Sequence, residues 1–369
     1  MKQNFQFPYF YNESGDLDEF TKLVDCFNVH LYFILKNKMP GIANPYEVFL
    51  RDISFYLSLS ADGSFYDFDF PDNSLNTDVF VLDYHKGKGL EAFCHMENYL
   101  NEGEPVIVYT DTRYVPFFND NQGEGTTPSD AGVVLGHVFL VIAHDTDRLY
   151  YVEAPWNLNL NHFRAYEGNR SIGVIAKKDL EQAFDSFLTF VTVGINKARL
   201  PVNFQRIKSV MASSVEYYRK AASRAEGLSI YYGKQIFEKF NEILAQKTLA
   251  LDQKAASCPL NMFSLLDWRI MNINRRRIVL RESLQGIMKT GLITRNSDQI
   301  LGLITTIDQA VKAWQNALMF VRKKNIKKQY VLDESYVGYF ADIAALEERM
   351  MNIMQEISEW ESDEVFCPL

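Results

Sequence analysis

A change of hydrophobic pattern near residue 200 divides this 369-residue sequence into two parts. Before Pro201, short runs of β-branched and aromatic residues alternate with a few helix-like stretches, and eight of the eleven prolines lie here. After Pro201, apolar residues recur at helical spacing over long segments that contain almost no Pro or Gly. Strand and helix patterns have different periods, so these two parts predict different architectures. We expect an α+β domain over residues 1–200 and an all-helical domain over residues 201–369.

The predicted elements follow from these local patterns. The first part predicts strands at Ser54–Leu59, Phe65–Phe70, Asp78–Tyr84, Pro105–Thr110, Val133–Ala143, Arg148–Glu153 and Phe187–Ile195. It also predicts helices at about Cys26–Lys36, Gly89–Asn101 and Lys178–Phe187. The second part predicts helices at about Phe204–Gln246, Met262–Met288, Ser297–Lys324 and Asp333–Glu361.

The composition excludes several classes of protein. With 47% hydrophobic and 23% charged residues, the chain has the material for a packed core and is neither disordered nor collagen-like. We find no apolar run near the ~20 residues of a transmembrane helix. The N-terminal residues carry aromatics and acids where a secretory signal needs a smooth apolar stretch. We therefore expect a cytoplasmic protein with no membrane partner.

The four cysteines are Cys26, Cys94, Cys258 and Cys367. They form no C-x-x-C motif and show no even spacing, so neither a disulfide framework nor a zinc ribbon is predicted. His137 and His144 differ by an odd number of positions, which places them on opposite faces of a strand and makes them a poor metal pair. We expect no cofactor.

The net charge of −9 is unevenly distributed. Residues 1–200 have a balance of −13, residues 201–330 of +13 and residues 331–369 of −9. The basic segment includes Arg275–Arg277 and a cluster from Arg322 to Lys328. The simplest explanation of this basic segment is a solvated helix face. The negative net charge of the whole protein argues against a nucleic-acid partner.

Cys26 is the strongest candidate for a nucleophile. It stands where an apolar helical run begins, and a thiol in the first turn of a helix meets the positive end of the helix dipole. That position favours a lowered thiol pKa, and the nearby amides could stabilise an oxyanion. The alternative is that Cys26 is a small core residue.

A predicted β-hairpin offers partners for such a thiol. With a turn centred near Asp145, residues whose numbers sum to about 290 face each other, which pairs His137 with Glu153. A carboxylate beside a histidine sets its tautomer and stabilises the imidazolium, as in a nucleophilic triad. A structural histidine on a strand remains the alternative.

The order of these motifs resembles the N-terminal domain family named after butirosin biosynthesis protein H. The resemblance covers roughly residues 20–200. It rests on Cys26 at a helix start, the run Glu104–Asp111 followed by Tyr114-Val115-Pro116, then Gly136-His137-Val138, and finally Val152-Glu153-Ala154-Pro155.

This resemblance implies a papain-like cysteine-protease fold that transfers an acyl group in natural-product biosynthesis, including antibiotic biosynthesis. An acyl group would pass from a carrier-protein thioester to Cys26 and then to a small-molecule amine, forming an amide. His137 would act as general base and acid, and Glu153 would orient it. The family usually has Asp where Glu153 stands, so Asn157 or Asn161 could take this role instead. Related bacteriocin-processing peptidases keep a glutamine about six residues before the cysteine as an oxyanion donor, whereas this sequence has Phe20 there.

Three further residues could line a substrate pocket. Asp111 and Tyr114 follow a buried strand beside the predicted His137 strand, and Trp156 follows the hairpin. Each has a structural alternative: Asp111 can cap a turn, and both aromatic residues can pack in a core. An acyl carrier protein, generally acidic, could dock on the basic helices of residues 201–330.

Other functions compete with this hypothesis. The same residues would serve an amidase or peptidase in which water replaces the amine, and a non-enzymatic ligand-binding protein could keep the same fold. The G-x-G-x-x-A run from Gly87 to Ala92 is similar to a dinucleotide-binding turn, with Asp111 about 20 residues on, but no second βαβ unit follows. Cys94 and His95 are adjacent on a helix and diverge, which argues against a catalytic pair.

Overall fold

The structure of the protein is a computed structural model. It describes residues 19–40, 42, 45–71, 79–87, 89–111, 136–153, 165–166, 169–180, 188–200, 204–245, 262–291, 293, 296–327, 329 and 336–360. Within these ranges the protein is of mixed α and β type, with seven α-helices and two antiparallel sheets. No helix in these ranges is both long and apolar enough to span a membrane.

The chain forms two compact units. Unit 1 comprises residues 1–45 and 77–200, and unit 2 comprises residues 46–76 and 201–369. The boundary at residue 200 agrees with the change of pattern in the sequence. Residues 46–76, however, belong with the C-terminal part and not with the first 200 residues, because their strands pair there.

Unit 1 contains a seven-stranded sheet of order β3-β9-β4-β5-β6-β8-β7. Its strands are β3 (Phe80–Gly87), β4 (Val106–Asp111), β5 (Gly136–His144), β6 (Arg148–Val152), β7 (Ala165–Tyr166), β8 (Asn169–Ala176) and β9 (Leu188–Ile195). Every recorded pairing in it is antiparallel. The strands predicted for this unit are confirmed over their described residues, whereas β7 and β8 were not predicted. Consecutive apolar residues of the central strands β4 and β5, Val106–Val108 and Val138–Ile142, are all buried.

Two helices accompany this sheet, α1 (Cys26–Lys38) and α2 (Gly89–Asn101). Helix α2 buries Phe93 and Met96 in one apolar cluster with Val108, Phe139 and other strand residues. Helix α1 contacts β5 and β9, and its residues from Asn28 to Leu35 are all buried. A helix buried around its whole circumference needs apolar residues on every side, as this run has. The third predicted helix begins as a 3-10 turn at Lys177–Leu180, and residues 181–187 lie outside the described ranges.

Unit 2 is not all-helical, and the sequence prediction was wrong here. It contains a four-stranded antiparallel sheet of order β10-β11-β1-β2 beside its helices. The strands are β1 (Tyr56–Leu59), β2 (Phe65–Asp69), β10 (Ser223–Ala225) and β11 (Leu228–Tyr232). The helices are α3 (Phe204–Tyr218), α4 (Lys234–Ala245), α5 (Met262–Lys289), α6 (Ser297–Ile326) and α7 (Val337–Ser358).

A tight hairpin interrupts the long helix predicted from Phe204 to Gln246. Ala225 pairs with Leu228, and the two residues between them, Glu226 and Gly227, both have positive φ values of 51° and 80°. Two consecutive positive φ angles define the hairpin turn whose twist matches that of its strands. The helical pattern on either side of this turn is otherwise confirmed.

An aromatic core holds unit 2 together. Phe55 from the segment before β1 contacts Phe68, Phe237 and Trp314 edge to face, with ring centroids 5.6–6.3 Å apart. Edge-to-face pairs align the positive ring edge with the negative face of the neighbour. They belong to one cluster of buried residues that extends from position 55 to position 343 of the chain, which explains why residues 46–76 belong to this unit.

Candidate functional site

Cys26 is the first residue of α1, as predicted. Asp25 is the N-cap, and its Oδ1 accepts a hydrogen bond of 2.9 Å from the backbone N of Asn28. The Asn28 side chain donates a second bond of 2.5 Å to the other carboxylate oxygen. A capping carboxylate satisfies amide groups that the first turn cannot bond internally. The Cys26 thiol is free and partly buried.

The environment of Cys26 raises its thiol pKa to about 12. Burial is the largest cause, followed by the negative charges of Asp25 and Glu153. Hydrogen bonds from the backbone amides of Cys26 and Phe27 act in the opposite direction but are weaker. The prediction that the helix N-terminus lowers this pKa was therefore wrong. The free-energy cost of removing a thiolate from water exceeds the stabilisation that the amides provide.

Glu153 lies just beyond the end of β6 and is buried, with 1% of its surface exposed. Burial is the larger cause of the raised pKa of the Cys26 thiol and of the Tyr151 hydroxyl, and the charge of Glu153 raises both pKa values further. Two of the three predicted triad members, Cys26 and Glu153, are therefore coupled electrostatically. They are 127 positions apart in the sequence.

The hairpin that carries His137 and Glu153 has a different register from the predicted one. Leu140 pairs with Val152 and Val141 with Tyr151, so facing positions sum to 292 and not to 290. The turn at Asp145 is confirmed: its carboxylate accepts bonds of 2.9 and 2.8 Å from the amides of Asp147 and Arg148. An irregularity between Val141 and Ala143 then shifts the pairing. Continued to the strand end, this register puts Phe139, not His137, opposite Glu153.

His137 is the second residue of β5, and its backbone pairs with Thr110 on β4. Its side chain lies outside the described part of the protein. Asp111 ends β4, and its backbone pairs with Gly136, next to His137. The Asp111 side chain also lies outside the described part, as do the whole residues Tyr114, Trp156, Asn157 and Asn161.

A buried histidine that the sequence analysis missed joins α1 to β5. His30 is fully buried, and its Nε2 donates a 3.2 Å hydrogen bond to the carbonyl oxygen of Val138, the residue after His137. His30 is four positions after Cys26, which is about 6 Å along the helix and on the same side. The sequence signal that could have revealed this residue was a histidine one turn after the cysteine, within the otherwise apolar run Val29–Leu35. The backbone of β5 beside His137 is thereby tied to the helix that starts with Cys26.

The competing motifs find little support. Gly87 ends β3 and Gly89 starts α2, but β3 pairs antiparallel with β9, whereas a dinucleotide-binding turn belongs to a parallel sheet. Packing explains the glycine at position 87, because a Cβ on Gly87 would lie 2.6 Å from the Cβ of Ala92. Cys94 is exposed on α2. In the described ranges, no group of three or more His, Cys, Asp or Glu side chains could hold a metal ion.

The first basic cluster of the second part is not a free surface. Arg277 is fully buried and forms a bidentate ion pair with Glu347 at 2.7 and 2.6 Å. The guanidinium of Arg276 lies 3.6 Å from the centroid of the Phe70 ring and donates to the backbone oxygen of Asp52. These two residues are therefore engaged within unit 2. A docking surface on this part of the chain has to be sought at the second cluster, near Lys323.

No protein-family model matches this sequence. No curated protein matches it either. The functional assignment therefore depends on the residues of the site.

Proposed function

We propose that this protein is a cysteine-dependent acyltransferase that forms an amide. The observation that carries the proposal is the position of Cys26: it begins a capped helix, and the charge of the buried Glu153 carboxylate acts on its thiol. The same helix is tied through His30 to the backbone next to His137. A nucleophile, a base and an orienting carboxylate converging on one place are the requirement for acyl transfer by a cysteine. We extend the proposal to a papain-like fold for unit 1 and to a cytoplasmic location.

The first chemical step would be formation of an acyl-cysteine. His137 would remove the proton from the Cys26 sulfur as the sulfur attacks the thioester carbonyl. The tetrahedral intermediate would collapse with release of the donor thiol, which takes the proton from His137. The backbone amides of Cys26 and Phe27, which hydrogen-bond to the Cys26 sulfur at the start of α1, are suitably polarised to stabilise the oxyanion. The acyl group is then held on Cys26 as a thioester.

The second step would form the amide. An amine would attack the acyl-Cys26 carbonyl and lose a proton to His137, and Cys26 would leave as a thiol after reprotonation. Glu153 would orient the imidazole and stabilise its charged form. Asp111, Tyr114 and Trp156 are the proposed substrate-binding residues, and an acyl carrier protein and a small-molecule amine the proposed donor and acceptor. No cofactor is needed, because the thioester is already activated.

The pKa of about 12 constrains how the thiol can react. At pH 7 only about one thiol in 10⁵ would be ionised in this environment. The proton must therefore leave during the attack, under general-base catalysis, and a resting thiolate is not part of the mechanism.

The same pKa favours a second candidate, a non-enzymatic ligand-binding protein in which Cys26 is a structural thiol. An amidase or peptidase shares the first mechanism with water as acceptor.

Intact-mass spectrometry tests the proposal directly. The full chain is incubated with an acyl N-acetylcysteamine thioester, and a mass increase equal to the acyl group is expected. Cys26→Ala should abolish the increase, whereas Cys94→Ala, which removes an exposed thiol, should retain it. His137→Ala should stop turnover in a protein that still folds. An adduct that persists without Cys26, or no adduct on the wild-type chain, would overturn the proposal.

The fate of the acyl group separates the enzymatic alternatives. When a primary amine is added to the acylated protein, loss of the adduct with formation of the amide supports transfer. Loss at the same rate with formation of the free acid, regardless of amine, identifies a hydrolase instead.

A further inference from the structure

An exposed apolar stripe with basic residues runs along the last turns of α6. Met319 and Ile326 are exposed by 62% and 83% of their surface. Isoleucine is among the residues most often buried, so an almost fully exposed one next to another exposed apolar residue is unusual. Both lie at the edge of a groove of about 700 Å³. This groove lies within unit 2.

Two helices form the groove. Helix α6 contributes Asn316, Met319, Phe320, Arg322, Lys323, Ile326 and Lys327, and α7 contributes Tyr339. Most of the α6 residues recur at intervals of three and four, which places them on one side of the helix. The Phe320 and Tyr339 rings, with centroids 5.5 Å apart, both line the groove, one from each helix. From residue 316 to residue 327 the groove runs about 16 Å, or three helical turns.

The charges around the groove are positive. Arg322 is already bonded to Asp267, with its Nε 2.9 Å from Oδ2. Lys323 and Lys327 are exposed, and among the described residues neither has a carboxylate partner. Two exposed cations that have no carboxylate partner among the described residues, close to an exposed isoleucine, complement a ligand that carries both acidic and apolar groups.

We propose that this groove binds an acidic amphipathic helix of a partner protein. The apolar face of that helix would cover Met319, Phe320 and Ile326, and its acidic residues would pair with Lys323 and Lys327. A three-turn groove lined by aromatic, aliphatic and basic side chains has the dimensions of helix-in-groove recognition. The concave shape favours a helix over a flat lipid surface. The proposal stands on unit 2 alone and does not depend on the chemistry of Cys26.

The probe is a pool of synthetic 18-residue helical peptides with Leu, Met or Phe at i, i+3, i+4 and i+7 and Glu or Asp at most other positions. A matched pool has Lys and Arg in place of the acids. The immobilised full chain should retain the acidic pool and not the basic pool, and retention should fall as salt is raised. Equal retention of both pools, or retention of neither, would contradict the proposal.

Matched variants on the same helix locate the binding. The pair Lys323→Glu with Lys327→Glu, and the pair Met319→Ser with Ile326→Ser, should each weaken peptide binding by about tenfold or more. Lys312→Glu and Leu301→Ser are the controls, because Lys312 is exposed and Leu301 is 49% exposed on α6 outside the groove. They should change binding less than about twofold. Equal losses in the test and control variants would show that the groove is not the site.

Two further measurements exclude other occupants. Vesicles of phosphatidylcholine with phosphatidylserine should not sediment the wild-type protein; sedimentation that the Lys323→Glu, Lys327→Glu pair abolishes would assign the surface to a membrane and overturn the proposal. Analytical ultracentrifugation should give the same oligomeric state for the wild type and for the Met319→Ser, Ile326→Ser pair. A dimer that only the wild type forms would assign the groove to a second copy of the chain.

Discussion

The carboxylate of Glu153, buried beyond the end of β6, raises the pKa of the Cys26 thiol at the start of α1. The charge of Glu153 thus couples the end of β6 to the first residue of α1. A conservative substitution can remove the charge of Glu153 but not the burial of Cys26. Such a substitution therefore measures the contribution of the carboxylate to the thiol pKa separately from that of burial.

Glu153→Gln should lower the pKa of Cys26. The substitution removes a negative charge that disfavours the thiolate, but the pKa should stay above that of an ordinary cysteine because burial is the larger cause. The rate of iodoacetamide alkylation at Cys26, followed by mass spectrometry between pH 7 and pH 10.5, should therefore rise at lower pH than in the wild type. Cys94, exposed on α2, is the internal reference. The exposed Glu102→Gln should leave the Cys26 profile unchanged, and an unchanged profile in Glu153→Gln would place its charge away from the thiol.

Two substitutions of Asp25 should separate capping from charge. Asp25→Ala removes the bond to the Asn28 amide and should lower the free energy of unfolding by about 1 kcal/mol. Asp25→Asn keeps a capping oxygen and should cost less. Both remove the charge that raises the Cys26 pKa, so both should speed alkylation at a given pH. Urea unfolding and alkylation rates measure the two effects; equal stability of the two variants would mean that the cap contributes little.

Loss of the His30 hydrogen bond should destabilise unit 1. His30→Leu fills a similar volume but leaves the buried carbonyl oxygen of Val138 without this donor, which should cost about 1–3 kcal/mol. Amide hydrogen exchange should quicken in peptides that contain the start of α1 and the middle of β5. His30→Gln, which retains a donor, should recover part of the loss. If exchange in β5 is the same in all three proteins, the bond does not hold the helix to the strand.

The ion pair in the core of unit 2 should be costly to break from one side. Arg277 and Glu347 are fully buried, and Trp314 Nε1 donates a further bond of 2.7 Å to the same carboxylate. Arg277→Met leaves a buried charge without its partner and should cost about 3–5 kcal/mol of unfolding free energy. Adding Glu347→Gln removes that charge, keeps an acceptor for Trp314 and should restore most of the stability.

The control is a similar pair at the surface. Arg281 bonds to Asp308 at 2.7 Å with 24% and 49% of the two side chains exposed, so Arg281→Met should cost no more than about 1 kcal/mol. Urea titrations followed by tryptophan fluorescence compare the variants. A loss in Arg277→Met as small as in Arg281→Met would mean that water reaches the buried pair.

Local patterns predicted the elements that depend on neighbouring residues. The strand from Val106 lies where a short run of β-branched residues predicted a buried strand, and the helix from Gly89 lies where helical spacing predicted it. The turn at Asp145 was also predictable, because an aspartate bonds to amides two and three positions on. The hairpin at Glu226 and Gly227 had a local signal that the helical pattern around it obscured.

The sequence by itself determined the periodicity of the two parts, the start of α1 at Cys26 and the hairpin around Asp145. Only the tertiary structure decided that Tyr56–Leu59 pairs with β11, whose paired residues lie 170 to 176 positions further on, that Arg277 is buried and that the Glu153 charge acts on Cys26. These facts depend on contacts between distant segments, and no local period encodes which segments meet. The pKa of the Cys26 thiol depends on both kinds of information. The amides at the helix start, which the local sequence predicts, lower this pKa, whereas burial and a carboxylate distant in the sequence raise it more.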